Sequence, residues 1–423
     1  MFISQQVMLQ KMMETFGFTR DVLASHLGVQ KKHIDSWLLS ESDLGYVVMP
    51  NVIGVYIDNF LRQHEIGVSS FSLRDRISYK GSNHLLSVEQ FNRDSIEDLF
   101  NIVDMMMPIA RRQKISRVLE GAVLGNLFFE ASTRTRVSFG AAFCRLGGSV
   151  CDTTGFTFSS MAKGESIYDT SRVIGGYVDI MVVRHPDRGS VAEFAKATNV
   201  PVVNGGDGPG EHPSQALLDL YTIKNEFKRL GKSLDGSCVL LVGDLKYGRT
   251  VHSLIKLLAL YKNIKISLVS PRGLEMPEEI VHYASRNNNV IEIKSSVEEG
   301  LHGADVVYAT RVQKERFSEI DEYRYEHNFQ INLDKINSCC SSDAVIMHPL
   351  PRDSRPGAND LSVDLNNDSR LAIFRQADNG IPVRMAIFAT LLGVEDMIQK
   401  SLRDVKWSRP IYISPNDSVF HNL

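Results

Sequence analysis

The 423 residues, 43% hydrophobic and 23% charged, suit a soluble globular protein long enough for several domains of roughly 100–200 residues. A formal net charge of −3 excludes a generic polyanion binder, and no run of about 18 apolar residues offers a membrane span. Five scattered cysteines (Cys144, Cys151, Cys238, Cys339 and Cys340) include no CxxC pair, which excludes an internal disulfide framework and a structural zinc site. The expectation is reduced thiols in a cytoplasmic protein. The opening MFISQQVMLQKMMETF lacks the basic start and cleavage site of a signal peptide.

Residues 1–80 read as a separate, small all-α unit. A helical pattern covers Gln6–Phe16, then Arg20–Val29, then Gln30–Leu38. Ala24, Gly28, Ile34 and Trp37 stand where two short helices need close approach, a turn and apolar pins. The segment resembles the helix-turn-helix of phage-repressor-like proteins. Yet residues 1–80 hold eight Lys/Arg and eight Asp/Glu, a net of zero, where a DNA-binding module usually carries a basic footprint. Lys31, Lys32 and His33 would supply a small one. DNA contact and a helical docking or oligomerisation role both stand.

From Leu86 the pattern changes. A helical Ser87–Arg112 leads into an apolar run, Ala122–Phe129, which predicts a buried strand. Further strands are predicted at Ile180–Val183, Val200–Val203, Val239–Val242, Ile264–Val269, Ala304–Ala309 and Ala344–Met347. Helical stretches separate most of them, which points to parallel-sheet α/β architecture. Residues 216–232 read as one long helix joining two such units, and the tail after Asp404 reads as irregular.

Several strand ends carry polar clusters. Ser132, Thr133, Arg134, Thr135 and Arg136 follow the first strand and open a helix that buries Phe139, Ala142, Phe143 and Leu146. Free N–H groups and the positive dipole end at a helix start favour an anion, and hydroxyls and guanidinium groups add donors of phosphate size. An ordinary serine cap with surface arginines fits the same segment. Lys163 stands in a polar loop, where most lysines are simply solvated. Arg184-His185-Pro186 follows a strand, where ligand crevices lie in parallel sheets. His212 and Gln215 open the helix after a glycine-rich loop from Gly206. Gly243–Thr250 comes close to the GxxxxGK[ST] phosphate loop, but Arg249 replaces its lysine and no magnesium-binding Asp strand is evident, so nucleotide hydrolysis is disfavoured. Arg311 and Gln313 follow one late strand, and His348-Pro349-Leu350-Pro351-Arg352 follows another. Taken singly, each of these last clusters also fits a plain surface loop.

In order along the chain, FFEASTRTR, KGES, RHP, GDGPGEHPSQALLDLYTI, GDLKYGRTVHS, TRVQKER, MHPLPR and NGIPVRMA resemble the aspartate/ornithine carbamoyltransferase family, on its aspartate side. Lys163, Arg249, Arg311 and Gln313 carry the aspartate choice. The resemblance covers roughly Leu86–Lys400 and implies transfer of a carbamoyl group from carbamoyl phosphate to L-aspartate, a pyrimidine-biosynthesis step, without metal or organic cofactor. It implies a carbamoyl-phosphate domain over 81–222, an aspartate domain over 223–379, a helix at 380–401 returning to the first domain, and a tail at 402–423. By resemblance, Ser132, Thr133, Arg134 and Thr135 hold phosphate, and Thr135, Arg184 and His212 polarise the carbonyl. Gln215 and the carbonyls of Pro349 and Leu350 orient the carbamoyl nitrogen, while Lys163, Arg249, Arg311 and Gln313 hold aspartate. Lys163 would come from a neighbouring subunit of a homotrimer, and a regulatory chain is a possible partner.

Three departures stand out. Residues 1–80 are additional to the usual catalytic chain. The segment Asp353–Ala358 lacks the family's acidic residue and isoleucine. Glu211 replaces an amide beside His212, where a carboxylate can raise the imidazole pKa or repel phosphate. A second reading makes the chain a DNA-binding regulator that uses the carbamoyltransferase body as a sensor.

Overall fold

The computed structural model describes residues 5–39, 43–50, the single positions 53, 57, 73 and 77, and 83–155, 160–311, 329–353 and 360–407. Two units separate, Met1–Leu85 and Leu86–Leu423. Gln313, Ser354–Ala358 and the end of the tail lie outside the described residues.

In the first unit, α1 (Gln5–Phe16), α2 (Arg20–His26) and α3 (Lys31–Trp37) close around Leu9, Met12, Leu23, Ala24, Ile34 and Trp37. Gly28 takes φ +66° in the turn between α2 and α3, a conformation that glycine adopts without a Cβ clash. Lys31 Nζ pairs with Asp21 at 2.7 Å and Arg20 with Asp35 at 2.9 Å. Carboxylates of the same helices thus neutralise part of the basic footprint that a DNA reading needs.

The second unit begins with a short 3-10 turn, Val88–Gln90, and then α4 (Arg93–Ala110). The expected continuous helix from Ser87 is broken because Asn92 and Ser95 cap each other and start a new helix at Arg93. The strands are β1 (Lys114–Ile115), β2 (Val123–Phe128), β3 (Ser149–Thr154), β4 (Ile180–His185), β5 (Val202–Asp207), β6 (Cys238–Val242), β7 (Lys265–Val269), β8 (Val290–Ile293), β9 (Val306–Ala309), β10 (Val345–Met347) and β11 (Arg403–Asp404). One parallel sheet runs β3-β2-β4-β5 and a second runs β10-β9-β6-β7-β8. β1 and β11 pair antiparallel, with Lys114 and Asp404 in register and 2.7 Å apart.

Two corrections concern strand limits. β4 extends through Arg184 and His185, and β5 takes in Gly205, Gly206 and Asp207, so these residues belong to strands rather than to the loops expected there. Edge strands β3 and β8 escaped the hydrophobic pattern because SVCDTT and VIEI are short and polar or half-exposed. Polar edges resist pairing with another chain, so their composition hides them.

The sheets are joined through α8 (Pro213–Leu230), so the expected boundary at 222–223 falls inside a helix. The long α13 (Ile373–Leu392) returns to lie against α4, α8 and α5 (Thr133–Arg145). Its Phe388 meets Phe143 and Phe139 edge-on at 5.0 and 5.9 Å, and all three rings are fully buried. Each such burial contributes roughly 1.5–3 kcal/mol. Arg375 Nε donates to Glu226 Oε1 at 2.6 Å, a buried pair that fixes α13 on α8. No helix among the described residues is long and apolar enough to cross a membrane.

Candidate active site

Strand order alone locates the candidate site. In the first sheet the chain leaves β2 for β3 on one side and returns to β4 on the other. In the second it leaves β6 for β7 and β8, then returns to β9. Parallel sheets open a ligand crevice where the order reverses, beyond the carboxyl ends of the strands. The polar clusters after β2, β4, β6 and β9 all lie at these two reversals.

At the first reversal, Ser132 caps α5 from an extended conformation, and its side chain makes no capping hydrogen bond. The first-turn N–H groups therefore stay open to an external acceptor. Thr133 and Arg134 are exposed, and Ser132 and Thr135 half-buried. Arg136 faces elsewhere: its Nε lies 3.7 Å from Asp152 on β3, and Asn126 holds both Asp152 and the carbonyl of Arg136. The run of five thus divides, with Ser132–Thr135 at the helix mouth and Arg136 tied to the sheet edge.

Arg184 from β4 and Arg249, the first residue of α9 (Arg249–Leu258), converge on Glu130. Arg184 Nη2 lies 2.8 Å from Glu130 Oε2 and Arg249 Nη2 lies 3.4 Å from it. Arg184 Nη1 also donates to the carbonyl of Gly205 at 3.3 Å, and Arg249 to that of Gly208. A Cβ at Gly206 would lie 2.7 Å from Arg184 Nη1 and 3.3 Å from Arg249 Nη2, so the bare backbone makes room for both guanidinium groups. Two buried guanidinium groups, one on β4 and one at the start of α9, thus meet at one carboxylate.

His212 caps α8 beside them. Its imidazole is buried and Nδ1 finds no partner among the described residues. Burial first, then the nearby Arg249, Arg184 and Arg384, hold its pKa well below the ordinary histidine value, so the ring is neutral. A neutral ring keeps one N–H to donate. Glu211 resolves both alternatives raised for it: it turns away, accepting from Ser87 Oγ at 3.0 Å and Val88 N at 2.8 Å and pairing with Lys256 at 2.8 Å.

Gln215 sits one turn further into α8, where Nε2 donates to Asp219 Oδ1 at 2.9 Å. The same oxygen accepts from Gln376 Nε2 at 2.6 Å, and Oδ2 accepts from Tyr308 on β9 at 2.6 Å. Burial raises the Asp219 carboxyl to about 6, although these three donors favour its ionised form. Gln376 Oε1 in turn accepts from His348 N at 3.0 Å, and His348 Nδ1 accepts from Leu350 N at 2.8 Å. Leu350 takes φ +56°, unusual for a side chain of its kind, in the loop that follows β10. His348 Nε2 lies 2.9 Å from Asp360 Oδ1. Burial opposes ionisation of Asp360, but His348 and the N–H groups of Asp353 and Leu361 outweigh it and hold its pKa below the usual carboxylate value.

At the second reversal, Gly243 takes φ +119° and a Cβ there would collide with the carbonyl of Thr310. The loops after β6 and β9 thus touch, with Arg311 next in line and half-buried. Lys163 ends the short turn Ser160–Lys163, exposed.

Five polar contributors are not marked out by the sequence pattern: Glu130, Asp219, Tyr308, Gln376 and Arg384. Arg384, fully buried on α13, donates to Ser138 Oγ at 2.9 Å, and burial lowers its pKa to about 10. The available signal was a charged residue on a helix otherwise apolar on that face.

A family model described as "Aspartate/ornithine carbamoyltransferase, carbamoyl-P binding domain" matches residues 83–225, and one described as "Asp/Orn binding domain" matches 235–391. The aspartate carbamoyltransferase catalytic subunit of Saccharophagus degradans is 55% identical over 332 residues, covering 78% of this chain and 98% of the relative. That of Cellvibrio japonicus is 53% identical, covering 77% and 96%. The crystal structure of the aspartate transcarbamoylase of Trypanosoma cruzi with carbamoyl phosphate and aspartate is similar at a TM-score of 0.67 and 37% identity, covering 73% of this chain and 96% of that one.

Proposed function

The chain belongs to the aspartate/ornithine carbamoyltransferase family, and from that premise we infer that it transfers the carbamoyl group of carbamoyl phosphate to the amine of L-aspartate, giving N-carbamoyl-L-aspartate and phosphate. The observation that carries this reading is the pair of buried arginines, one on β4 of the first sheet and one on α9, which follows β6 of the second, meeting at the carboxylate of Glu130. Both substrates are multiply anionic, and the site has cationic groups to meet them.

The phosphate takes the open mouth of α5, with Ser132, Thr133, Arg134 and Thr135 as donors. Aspartate's two carboxylates fall to Arg249, Arg311, Gln313 and Lys163, since planar guanidinium groups fix a carboxylate in position as well as in charge. The amine attacks the carbonyl carbon and negative charge builds on the carbonyl oxygen. Thr135, Arg184 and the neutral His212 face that oxygen, and donors aimed at developing charge in a dry site lower the barrier by several kcal/mol. Gln215 and the carbonyls of Pro349 and Leu350 accept from the carbamoyl nitrogen and hold the plane of the group. The C–O bond to phosphate then breaks, and the departing phosphate takes the amine proton.

Lys163 supports a shared site in a homotrimer: it is exposed, and among the described residues it has no hydrogen bond or ion pair within its own chain. Mixing Lys163→Met with Arg134→Ala chains should then restore activity, because some sites receive both intact residues. The relatives' name, catalytic subunit, supports association with a regulatory chain. Unpaired cysteines support a cytoplasmic setting.

Succinate, a dicarboxylate without the amine, tests aspartate recognition. It should inhibit competitively against aspartate, and Arg311→Ala should weaken that inhibition at least tenfold without changing the KM of carbamoyl phosphate. Indifference to succinate would remove Arg311 from the dicarboxylate site.

A further inference from the structure

Asp219 is a buried acid for which the reaction just described has no use. Its hydrogen-bond partners among the described residues include none of those assigned to the phosphate or to the aspartate carboxylates. Three donors from three elements nonetheless converge on it: Gln215 from α8, Gln376 from α13 and Tyr308 from β9. Two of these donors lead to the acceptors assigned to the substrate amine. Along one arm, the amide of Gln215 must present Nε2 to the carboxylate, because the flipped amide would set oxygen against oxygen. Its Oε1 is thereby fixed as an acceptor pointing away from Asp219. Along the other arm, Gln376 uses both ends of its amide, donating to Asp219 and accepting from His348 N. His348 passes the constraint on through Nδ1 to Leu350 N, which pins the φ +56° turn that orients the Pro349 and Leu350 carbonyls.

We propose that Asp219 and Gln376 are positioning residues that aim the amine acceptors from both sides, and so select a carbamoyl group over an acyl group without that amine. The proposal rests on the roles given above to Gln215 and the two carbonyls. Chemically, phosphate and carbonyl recognition cannot tell carbamoyl phosphate from acetyl phosphate, in which a methyl replaces the amine. Only acceptors aimed at N–H can, and an acceptor free to turn presents its donor end half the time. A site built to hydrogen-bond a substrate group rejects the analogue lacking it far better than a shape-matched apolar pocket does.

Asp219→Leu removes both acceptor oxygens at similar volume. Neither glutamine then has a carboxylate to which it must present Nε2, so both amides are free to turn over. Gln376→Met severs the His348 arm and leaves Gln215 on Asp219, giving a second variant should the first fail to fold. The readouts are kcat/KM for carbamoyl phosphate with aspartate and the inhibition constant of acetyl phosphate as a competitor of carbamoyl phosphate. Both variants should lose kcat/KM by on the order of 10²-fold while acetyl phosphate inhibition changes less than about threefold. Parallel weakening of both constants would reduce Asp219 to a structural role, and unchanged constants would remove it from the site; either overturns the proposal. A wild-type protein inactive with carbamoyl phosphate and aspartate would overturn the underlying reading instead, and shows itself before any variant is made.

Discussion

The mouth of α5 and the Arg184–Arg249 pair both offer positive charge to an anion, by opposite means. The first is exposed and built largely from backbone N–H groups and a few hydroxyls, in one continuous stretch of chain. The second is buried, built from guanidinium groups, and exists only because two sheets bring residues 184 and 249 to one carboxylate. An exposed helix mouth costs little to form and can meet a solvated anion. A buried cation pair is costly unless countered, and Glu130 supplies countercharge. Preorganisation is thus concentrated on the buried side, and the helix mouth stays open.

Variants can break that contrast, beginning with the largest effect. Arg184→Ala removes a donor to the developing oxyanion and leaves Glu130 short of countercharge; kcat should fall about 10³-fold and the melting midpoint should drop. Arg134→Ala should lose nearly all turnover with an unchanged melting midpoint, since the side chain is exposed. Loss of folding in that variant, or near-normal turnover, would show the helix mouth to be something other than a phosphate seat. Arg136→Ala, two residues on, should keep kcat within about threefold, because its partner is Asp152 at the sheet edge.

A pH effect sharpens the buried side. His212 has a folded-state pKa below its unfolded value of about 6.5, so its contribution to stability is present above that pH and lost as pH falls. Unfolding free energy should therefore decline toward acid below about pH 6.5, by at most about 1.4 kcal/mol per pH unit from this group, and His212→Gln should flatten that decline. Denaturant titrations between pH 7 and 5 read it directly. Smallest of all, Glu211→Gln should cost about 1–2 kcal/mol of stability, since it weakens the cap on Val88–Gln90 and the Lys256 pair, while kcat stays within twofold.

The same contrast marks what the amino-acid sequence discloses. Helix mouths, buried central strands and the clusters at strand ends are local, so their periodicity and composition reveal them. β2 and β6 are plain in this way. β3 and β8 are not, because an edge strand protects itself with the polar residues that erase the hydrophobic signal. Likewise Arg184 and His212 stand out beside turn residues, whereas Asp219 and Gln376 look like ordinary polar positions on two long helices. Their meaning comes from their mutual contact, 157 residues apart in the chain, which no local pattern carries. Glu211 shows the converse: adjacent to His212 in sequence, it points to another helix and leaves the imidazole alone.

The defining property of this site is that it joins two anions, one of them aspartate. The purified 423-residue chain incubated with carbamoyl phosphate and either L-aspartate or L-ornithine tests it most directly. With aspartate, N-carbamoyl-L-aspartate and phosphate should form in equal amounts, and with ornithine no citrulline should accumulate above the uncatalysed rate. Faster carbamoylation of ornithine, or phosphate release independent of the amine, would contradict it.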